Sequence, residues 1–447
     1  MNAQNSNVKP VNVIFNCSPS LGIIDSWMPI ISSLREKLPH ATFIFIAPKA
    51  RTIRELDLSS WLHQETSRIF DQVVFNDDSD QWYSSDSFDT AIRRAKKLDP
   101  WFVTRALRKL RLGVIASYLT SVQQWLNRSR FKPWSFNFYT KANERGVLLF
   151  DLCEIDKPYA SYIEDHFSGM EKYSLLHGIN VRGISDSQSV NGNPVSLRGV
   201  SNINALLFSQ KERGFYRKKY GIQDSNLHVI GIPRHEAQWL TSLQAVHGAV
   251  DFDKSKRFIF VIGRPSNDMY HPKRRKIQAL KDIREVAEKC GLNIVVKTHP
   301  KEHDDGTYME AFKGMSQGLT FSFSKSHPLV LGRYCVFAVS FYSGVAVDMV
   351  RLGTPVIERL DLRGLPYADN AESLRDANNE PVYVIRYLGL ALGASDSMTF
   401  ENQVERVMKY RDEVIAEQRA AYDRVYPTIP DINEKIASEI AAAVVEQ

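Results

Sequence analysis

Three short segments of this chain combine residue types that can handle a phosphate and a proton. The first is Lys297-Thr298-His299-Pro300-Lys301-Glu302, which follows the apolar run Asn293–Lys297. Proline fixes its own φ and holds the residue before it extended, so His299 has a defined direction. Lys297, His299 and Lys301 can meet a phosphate by charge and hydrogen bonding. A turn with a satisfied surface histidine is the plainer reading of the same residues. The second segment is Ser340-Phe341-Tyr342-Ser343-Gly344-Val345-Ala346-Val347-Asp348. Ser343 can cap a following helix and Gly344 permits close backbone approach, a combination that suits phosphate at a helix start. Asp348, five residues past Ser343, has the type and spacing to reach a ribose hydroxyl. An ordinary capped helix with a surface aspartate is the alternative. The third is Leu175-Leu176-His177-Gly178-Ile179-Asn180. Gly178 permits a sharp turn, and His177 is a candidate general base because its unperturbed pKa lies near neutrality. A loop histidine bonded to backbone explains it equally simply.

Each segment follows an apolar run rich in branched residues, the signature of a buried strand. In the first half such runs are Val11–Cys17, Ala41–Ala47, Val73–Phe75, Val147–Phe150, Tyr173–Leu176, Ala205–Phe208 and Leu227–Ile230. Asp89–Arg130 reads mainly helical, and Ser209–Tyr220 reads as a helix capped by Ser209 with Glu212. The pattern lapses over Gln238–Lys256, the candidate inter-domain segment. A second set follows, with strands Arg257–Ile262, Asn293–Lys297, Val336–Ser340 and Pro355–Glu358. Lys273–Lys289, Ser343–Leu352, Phe400–Arg424 and Ile432–Val445 read as helices. Strands alternating with helices predict an α/β protein of parallel sheets. Two such sets predict two doubly wound domains, with ligands at the carboxyl ends of the strands.

Composition limits the function. The chain has 447 residues, 43% hydrophobic and 24% charged, which is ordinary for a globular protein and excludes a disordered or fibrous one. A net charge of +6 is too weak to imply nucleic-acid binding, and no recognition motif accompanies it. Cys17, Cys153, Cys290 and Cys335 are widely spaced, which argues against a disulfide framework or zinc cluster and for free thiols in a reducing compartment. Met1–Pro10 is polar, and no run approaches the length of a membrane span, so a cytoplasmic protein is expected. Arg93, Arg94, Lys96, Lys97, Arg105, Arg108, Lys109 and Arg111 interleave with Trp101 and Phe102. Such a mixture suits an anionic inner membrane surface or a lipid-linked acceptor. A solvated helical face over a core stripe is the simpler account and is slightly preferred.

The order strand-His-Gly, strand-Lys-x-His-Pro, then Ser-x-x-Ser-Gly-x-x-x-Asp before Leu352-Gly353-Thr354-Pro355-Val356-Ile357-Glu358 resembles the GT-B glycosyltransferase superfamily. Within it, the bacterial surface-polysaccharide branch is the nearest in pattern: capsule Kdo transferases, polysialyltransferases and CDP-glycerol glycerophosphotransferases. The C-terminal half also resembles UDP-N-acetylglucosamine 2-epimerases, which share the fold. The match spans roughly residues 145 to 360. It departs at Phe341-Tyr342, where relatives often carry Ser-Ser or Asp-Ser. It also departs at Gly344-Val345, where the epimerases have Gly-Gly, and at Asp348, one acid instead of a pair.

The resemblance implies a two-domain GT-B fold with two Rossmann-like sheets facing a cleft. Residues 1–240 would form the acceptor domain and 255–425 the nucleotide-sugar domain, with 426–447 packing back on the first. His299, with Pro300 setting its geometry, would contact the donor phosphate beside Lys297, Ser340, Ser343 and Gly344, and Asp348 the ribose. Arg264, in the loop after the first strand of the second set, would pair with a phosphate or a sugar carboxylate. His177 would be the base; independently of the resemblance, Glu154 and Asp156, after the Val147–Phe150 run, are the available carboxylates in that half, and either could serve instead. Ser18 and Ser20, after the first strand, would face the acceptor. The implied reaction moves a sugar from a nucleotide-activated donor to a surface polysaccharide or lipid-linked oligosaccharide, with no metal and no cofactor. CMP-sugars are favoured over UDP-sugars and CDP-polyols. A 2-epimerase, or a non-catalytic nucleotide- or glycan-binding subunit, is the alternative.

Overall fold

The computed structural model describes residues 11–17, 21–57, 59–76, 82–97, 146–151, 167–176, 179, 203–246, 250–300, 302, 306–316, 318–365 and 374–446. Two sheets organise them. The first holds β1 (Asn12–Asn16), β2 (Thr42–Ala47), β3 (Gln72–Asn76), β4 (Trp82–Ser85), β5 (Gly146–Phe150), β6 (Glu171–Leu175), β7 (Ile203–Leu207) and β8 (Leu227–Val229). Their order is β4-β3-β2-β1-β5-β6-β7-β8, parallel except for the β3–β4 pair. The second holds β9 (Phe258–Ile262), β10 (Asn293–Lys297), β11 (Phe321–Phe323), β12 (Phe337–Ser340), β13 (Val356–Arg359) and β14 (Leu392–Ala394). Their order is β11-β10-β9-β12-β13-β14, all parallel.

The central strands are buried throughout, which is why they read as continuous apolar runs rather than alternating ones. Counted from β9, the second sheet has the order 3-2-1-4-5-6 of a dinucleotide-binding fold. The chain reverses its direction of travel across the sheet between β9 and β12, and the same reversal falls between β1 and β5 in the first sheet. Crevices open at those two points, beyond the carboxyl ends of the strands.

One apolar cluster runs from the first sheet into one face of the second, joining Trp27, Phe45 and Leu149 to Phe260, Leu331 and Val347. The opposite face of the second sheet has its own cluster under the Lys273–Cys290 helix. The Ile432–Val445 helix returns to the first half. Its Ile432, Ile436, Ala437, Ile440 and Val444 are buried in the cluster that holds Ile30, Ile31 and Leu34 of the Leu21–Lys37 helix. Each aliphatic side chain so buried contributes about 1.5–3 kcal/mol.

The structure corrects several boundaries. The Gln238–Lys256 segment holds most of a helix, Ala237–Val246, whose Trp239, Leu240 and Leu243 pack on the main cluster. Trp239, Leu240 and Leu243 stand at helical spacing, but the run is only ten residues long and the polar stretch that follows it masks the pattern. Phe400–Arg424 is two helices, Ser397–Lys409 and Arg411–Val425, because Tyr410 leaves the helical region at φ −125° and ψ 45°. Strands β4, β11 and β14 lie at sheet edges and are largely unburied, so they carry no continuous apolar run for the pattern to register. The Ser209–Glu212 capping box forms, with Glu212 accepting from the N–H groups of Phe208 and Ser209 at 2.8 and 3.1 Å. Of Asp89–Arg130, the described part lies in the Phe88–Lys97 helix, with Phe88, Ala91, Ile92 and Ala95 buried and Arg93, Arg94 and Lys96 outward. The rest of that basic stretch lies outside the described residues.

Gly231, just after β8, has φ +73°, and a Cβ there would lie 2.2 Å from the Pro427 carbonyl oxygen. Gly231→Ala is therefore expected to lower stability by about 2 kcal/mol or more, read as a drop in thermal midpoint. An unchanged midpoint would mean that the C-terminal segment does not pack here.

Candidate active site

The pairing register sets four residues at the carboxyl ends of adjacent strands in one row: Lys297, Ile262 and Ser340, each the last of its strand, and Glu358, the last but one of β13. Neighbours in register point to the same face of a parallel sheet. Lys297 and Ser340 therefore share a face at the carboxyl edge, on either side of the β9–β12 crevice. Glu358 shares it too, and the sequence reading gave it no role. It is buried, its Oε2 has no hydrogen-bond partner among the described residues, and burial pushes its carboxyl up to about 8 against the pull of Arg386. It is a neutral acid at pH 7.

The loop after β9 carries Arg264. Its guanidinium stands 4.5 Å from the centre of the Tyr342 ring. That ring is itself fixed, since its hydroxyl donates to the Pro265 carbonyl at 2.7 Å and Tyr270 stacks on it at 5.6 Å. His271 closes the same loop. It stacks on Phe341 at 4.6 Å, is buried, and neither ring nitrogen has a partner among the described residues. Burial, aided by the charges of Lys276, Arg359 and Arg275, lowers its pKa to about 3.

After β10, the Lys297 ammonium donates to the Lys325 carbonyl at 3.2 Å. Burial lowers its pKa to about 8, with Asp251 and Asp25 pulling the other way. His299 is partly exposed and Pro300 exposed, so this loop faces open space. After β12, the Ser343 N–H donates to Ser340 Oγ at 3.3 Å and the Val345 N–H to Ser343 Oγ at 3.4 Å. The two serines thus shape the turn into the Val345–Arg351 helix, and a hydroxyl that accepts still has a proton to donate.

The first sheet meets this turn directly. A Cβ placed on Gly344 would lie 3.0 Å from the Ile179 carbonyl oxygen. Ile179 follows β6 and comes two residues after His177. Ile179 and Gly344, far apart in the chain, are therefore in contact. His177, Glu154, Asp156, Ser18 and Ser20 lie outside the described residues.

Asp348 requires a correction. Its carboxylate is not at the open cleft: it is 2% exposed and spent on an internal network. Arg234 grips it with two hydrogen bonds, Nε to Oδ1 at 2.9 Å and Nη2 to Oδ2 at 3.2 Å. His235 Nε2 lies 2.6 Å from Oδ1, and its Nδ1 meets the Tyr422 hydroxyl at 2.8 Å. Burial alone would raise the Asp348 pKa, but Arg234 and His235 outweigh it and hold it at about 2. Arg234 also donates to Ser26 Oγ at 3.0 Å and stands 3.4 Å from Asp25, both on the Leu21–Lys37 helix. Asp25 in turn contacts His327 Nε2 at 3.0 Å. Because His327 Nδ1 accepts from the Leu329 N–H at 3.2 Å, its proton sits on Nε2 and is donated to Asp25. Sequence reasoning missed Arg234, His235, Asp25 and His327. The available signal was that Arg234-His235 follows a strand end, as the three chosen segments do.

Two outcomes follow from these burials. Asp348→Ala strips Arg234 of its main counter-charge, so a loss of about 3–5 kcal/mol is expected on denaturant unfolding. The Asp348→Ala, Arg234→Met double variant should lose less than the sum of its parts, and strict additivity would contradict the pairing. His271 has a depressed folded pKa, so the unfolded chain binds the extra proton. Stability is whole above about 6.5 and falls as pH drops toward 3, by about 1.4 kcal/mol per unit. His271→Phe, which keeps the ring stack, should flatten that slope by about one proton, and an unchanged slope would contradict the burial.

No family model matches the chain, and no curated protein matches it. Solved structures do. The wall teichoic acid polymerase TagF superposes with a TM-score of 0.56 over 99% of this chain and 91% of that one, at 11% identity. A putative UDP-N-acetylglucosamine 2-epimerase from Listeria monocytogenes superposes with a TM-score of 0.55, over 98% of this chain and 97% of that one, at 10% identity. Likeness at such identities is likeness of fold. Two parallel sheets of dinucleotide-binding order with their carboxyl ends turned to one cleft, matched over nearly the whole chain, make this a GT-B fold.

Proposed function

We propose that this chain is a GT-B transferase that takes a glycosyl or polyol-phosphate group from a nucleotide-activated donor to a bacterial surface polysaccharide or lipid-linked glycan. The observation that supports the reading is the contact of Gly344, in the serine turn, with Ile179, which comes two residues after His177 in the chain. Lys297, His299 and the serine turn would receive the donor phosphate, and Arg264 a second anionic group. Preorganised donors of this kind stabilise a leaving phosphate as charge develops on it. His177 would take the acceptor proton, with the Glu154 or Asp156 carboxylate as the alternative base. The Asp348 carboxylate would act on the ribose only through the helix it anchors, since both its oxygens are engaged. Ser18 and Ser20 would line the acceptor side, beyond β1 at the reversal point of the first sheet. A cytidine nucleotide is favoured as carrier, with uridine as the alternative. The fold match to a 2-epimerase supports a second reading, which needs no acceptor.

Thermal shift with CMP, CDP, UDP, GDP and ADP tests the donor site. One pyrimidine nucleotide should raise the midpoint by mass action, and His299→Ala should abolish the rise. The Lys297 ammonium is charged below about 8, so the shift should weaken as pH rises from 7 to 9. No shift with any of them contradicts the reading. Turnover of the matching nucleotide-sugar without an acceptor would favour the epimerase.

A further inference from the structure

The loop that carries His299 is held from beneath by a buried carboxylate that the reading above leaves unused. Glu302 is 4% exposed at its side chain and ion-paired to the equally buried Lys276 of the Lys273–Cys290 helix. Its Oε2 accepts from the His299 backbone N–H at 3.1 Å. Its Oε1 accepts from the Tyr308 hydroxyl at 2.8 Å, on the Thr307–Phe312 helix. Gly263, the first residue after β9, packs on the same group. A Cβ there would lie 2.7 Å from Glu302 Oε2, 2.7 Å from the Lys297 carbonyl oxygen and 2.8 Å from the Tyr308 hydroxyl. One carboxylate therefore touches the ends of β9 and β10 and two helices. The loops of Arg264 and His299 both start from it.

A buried ion pair is not the most stable way to fill such a space. Desolvation offsets its attraction, and apolar side chains of similar volume often serve as well or better. What an apolar pair cannot do is accept the His299 N–H. A carboxylate beneath an anion site must also be neutralised, and Lys276 does so from a position 4.5 Å from the centre of the Tyr308 ring.

We propose that Glu302 is the positioning residue of the donor site, fixing the His299 backbone and the start of the Arg264 loop in the geometry that receives a nucleoside phosphate. The inference rests on the nucleotide reading. Lys276 is its charge partner, not a ligand contact.

Two double variants separate positioning from stability. Lys276→Met with Glu302→Leu replaces the pair by apolar bulk. It should fold with an unchanged or higher thermal midpoint yet bind CMP or CDP at least tenfold more weakly by titration calorimetry. Lys276→Met with Glu302→Gln restores an acceptor for the His299 N–H and should bind within about threefold of the parent. Adding His299→Ala to the apolar pair should cost little more, because both changes remove one arrangement. Parent-like affinity in the folded apolar pair would overturn the proposal, as would losses that multiply with His299→Ala or a failure of the Gln pair to bind. If the parent protein binds none of the pyrimidine nucleotides, the nucleotide reading falls first and the inference with it. If His299→Ala weakens binding while the apolar pair does not, the inference alone falls.

Discussion

The buried Arg234–Asp348 pair is the contact on which the arrangement of the cleft depends. Arg234 follows the last strand of the first sheet, and Asp348 lies on the helix that opens at the serine turn of the second. A charge taken out of water must be compensated where it lies. Arg234 meets that requirement with Asp348 and Asp25, and Asp25 meets its own with His327. Each partner sits on a different element, so the network has good geometry only when the two halves stand in one relation. That relation also sets Ile179 against Gly344 at the serine turn.

The same electrostatic rule shapes the floor of the second sheet. Asp251, which acts on Lys297, is held by Ser324, Ser326 and the Lys325 N–H, and three other carboxyls near the row that would face a phosphate are neutralised. Glu358 is kept protonated by burial, Glu302 is paired with Lys276, and Asp348 is paired with Arg234. Lys297, lowered to about 8 yet still mainly charged at pH 7, stands in that row with the opposite sign. In the proposed site these neutralised carboxyls would favour an anion at the serine turn as much as the cations would.

Much of this was legible in the sequence, for a definite reason. Buried parallel strands are apolar throughout, so their runs and the polar residues at their ends stand out, and Lys297, His299, Ser340 and Ser343 lie where those runs end. The order of strands was not legible, because a run of Phe-Ile-Phe-Val-Ile carries no mark of its neighbours. Asp348 was misjudged because its partner lies 114 residues away and buried ion pairs have no periodicity. The spacing from Ser343 suggested a ligand contact, but in the folded chain that position is buried and faces Arg234. The part of Glu302 was hidden likewise: it was visible beside His299 in the chain, but its burial and its hold on Gly263 arise only from folding.

The central claim is that a nucleotide phosphate is received between the His299 loop and the serine turn. A crystal structure of the protein soaked with CMP or CDP tests it most directly. The account predicts phosphate oxygens within hydrogen-bond distance of Lys297 Nζ, the His299 ring and the Ser343–Gly344 turn, with Asp348 still bound to Arg234. A phosphate seated at the first sheet, or a bound nucleotide that draws Asp348 away from Arg234, would contradict it.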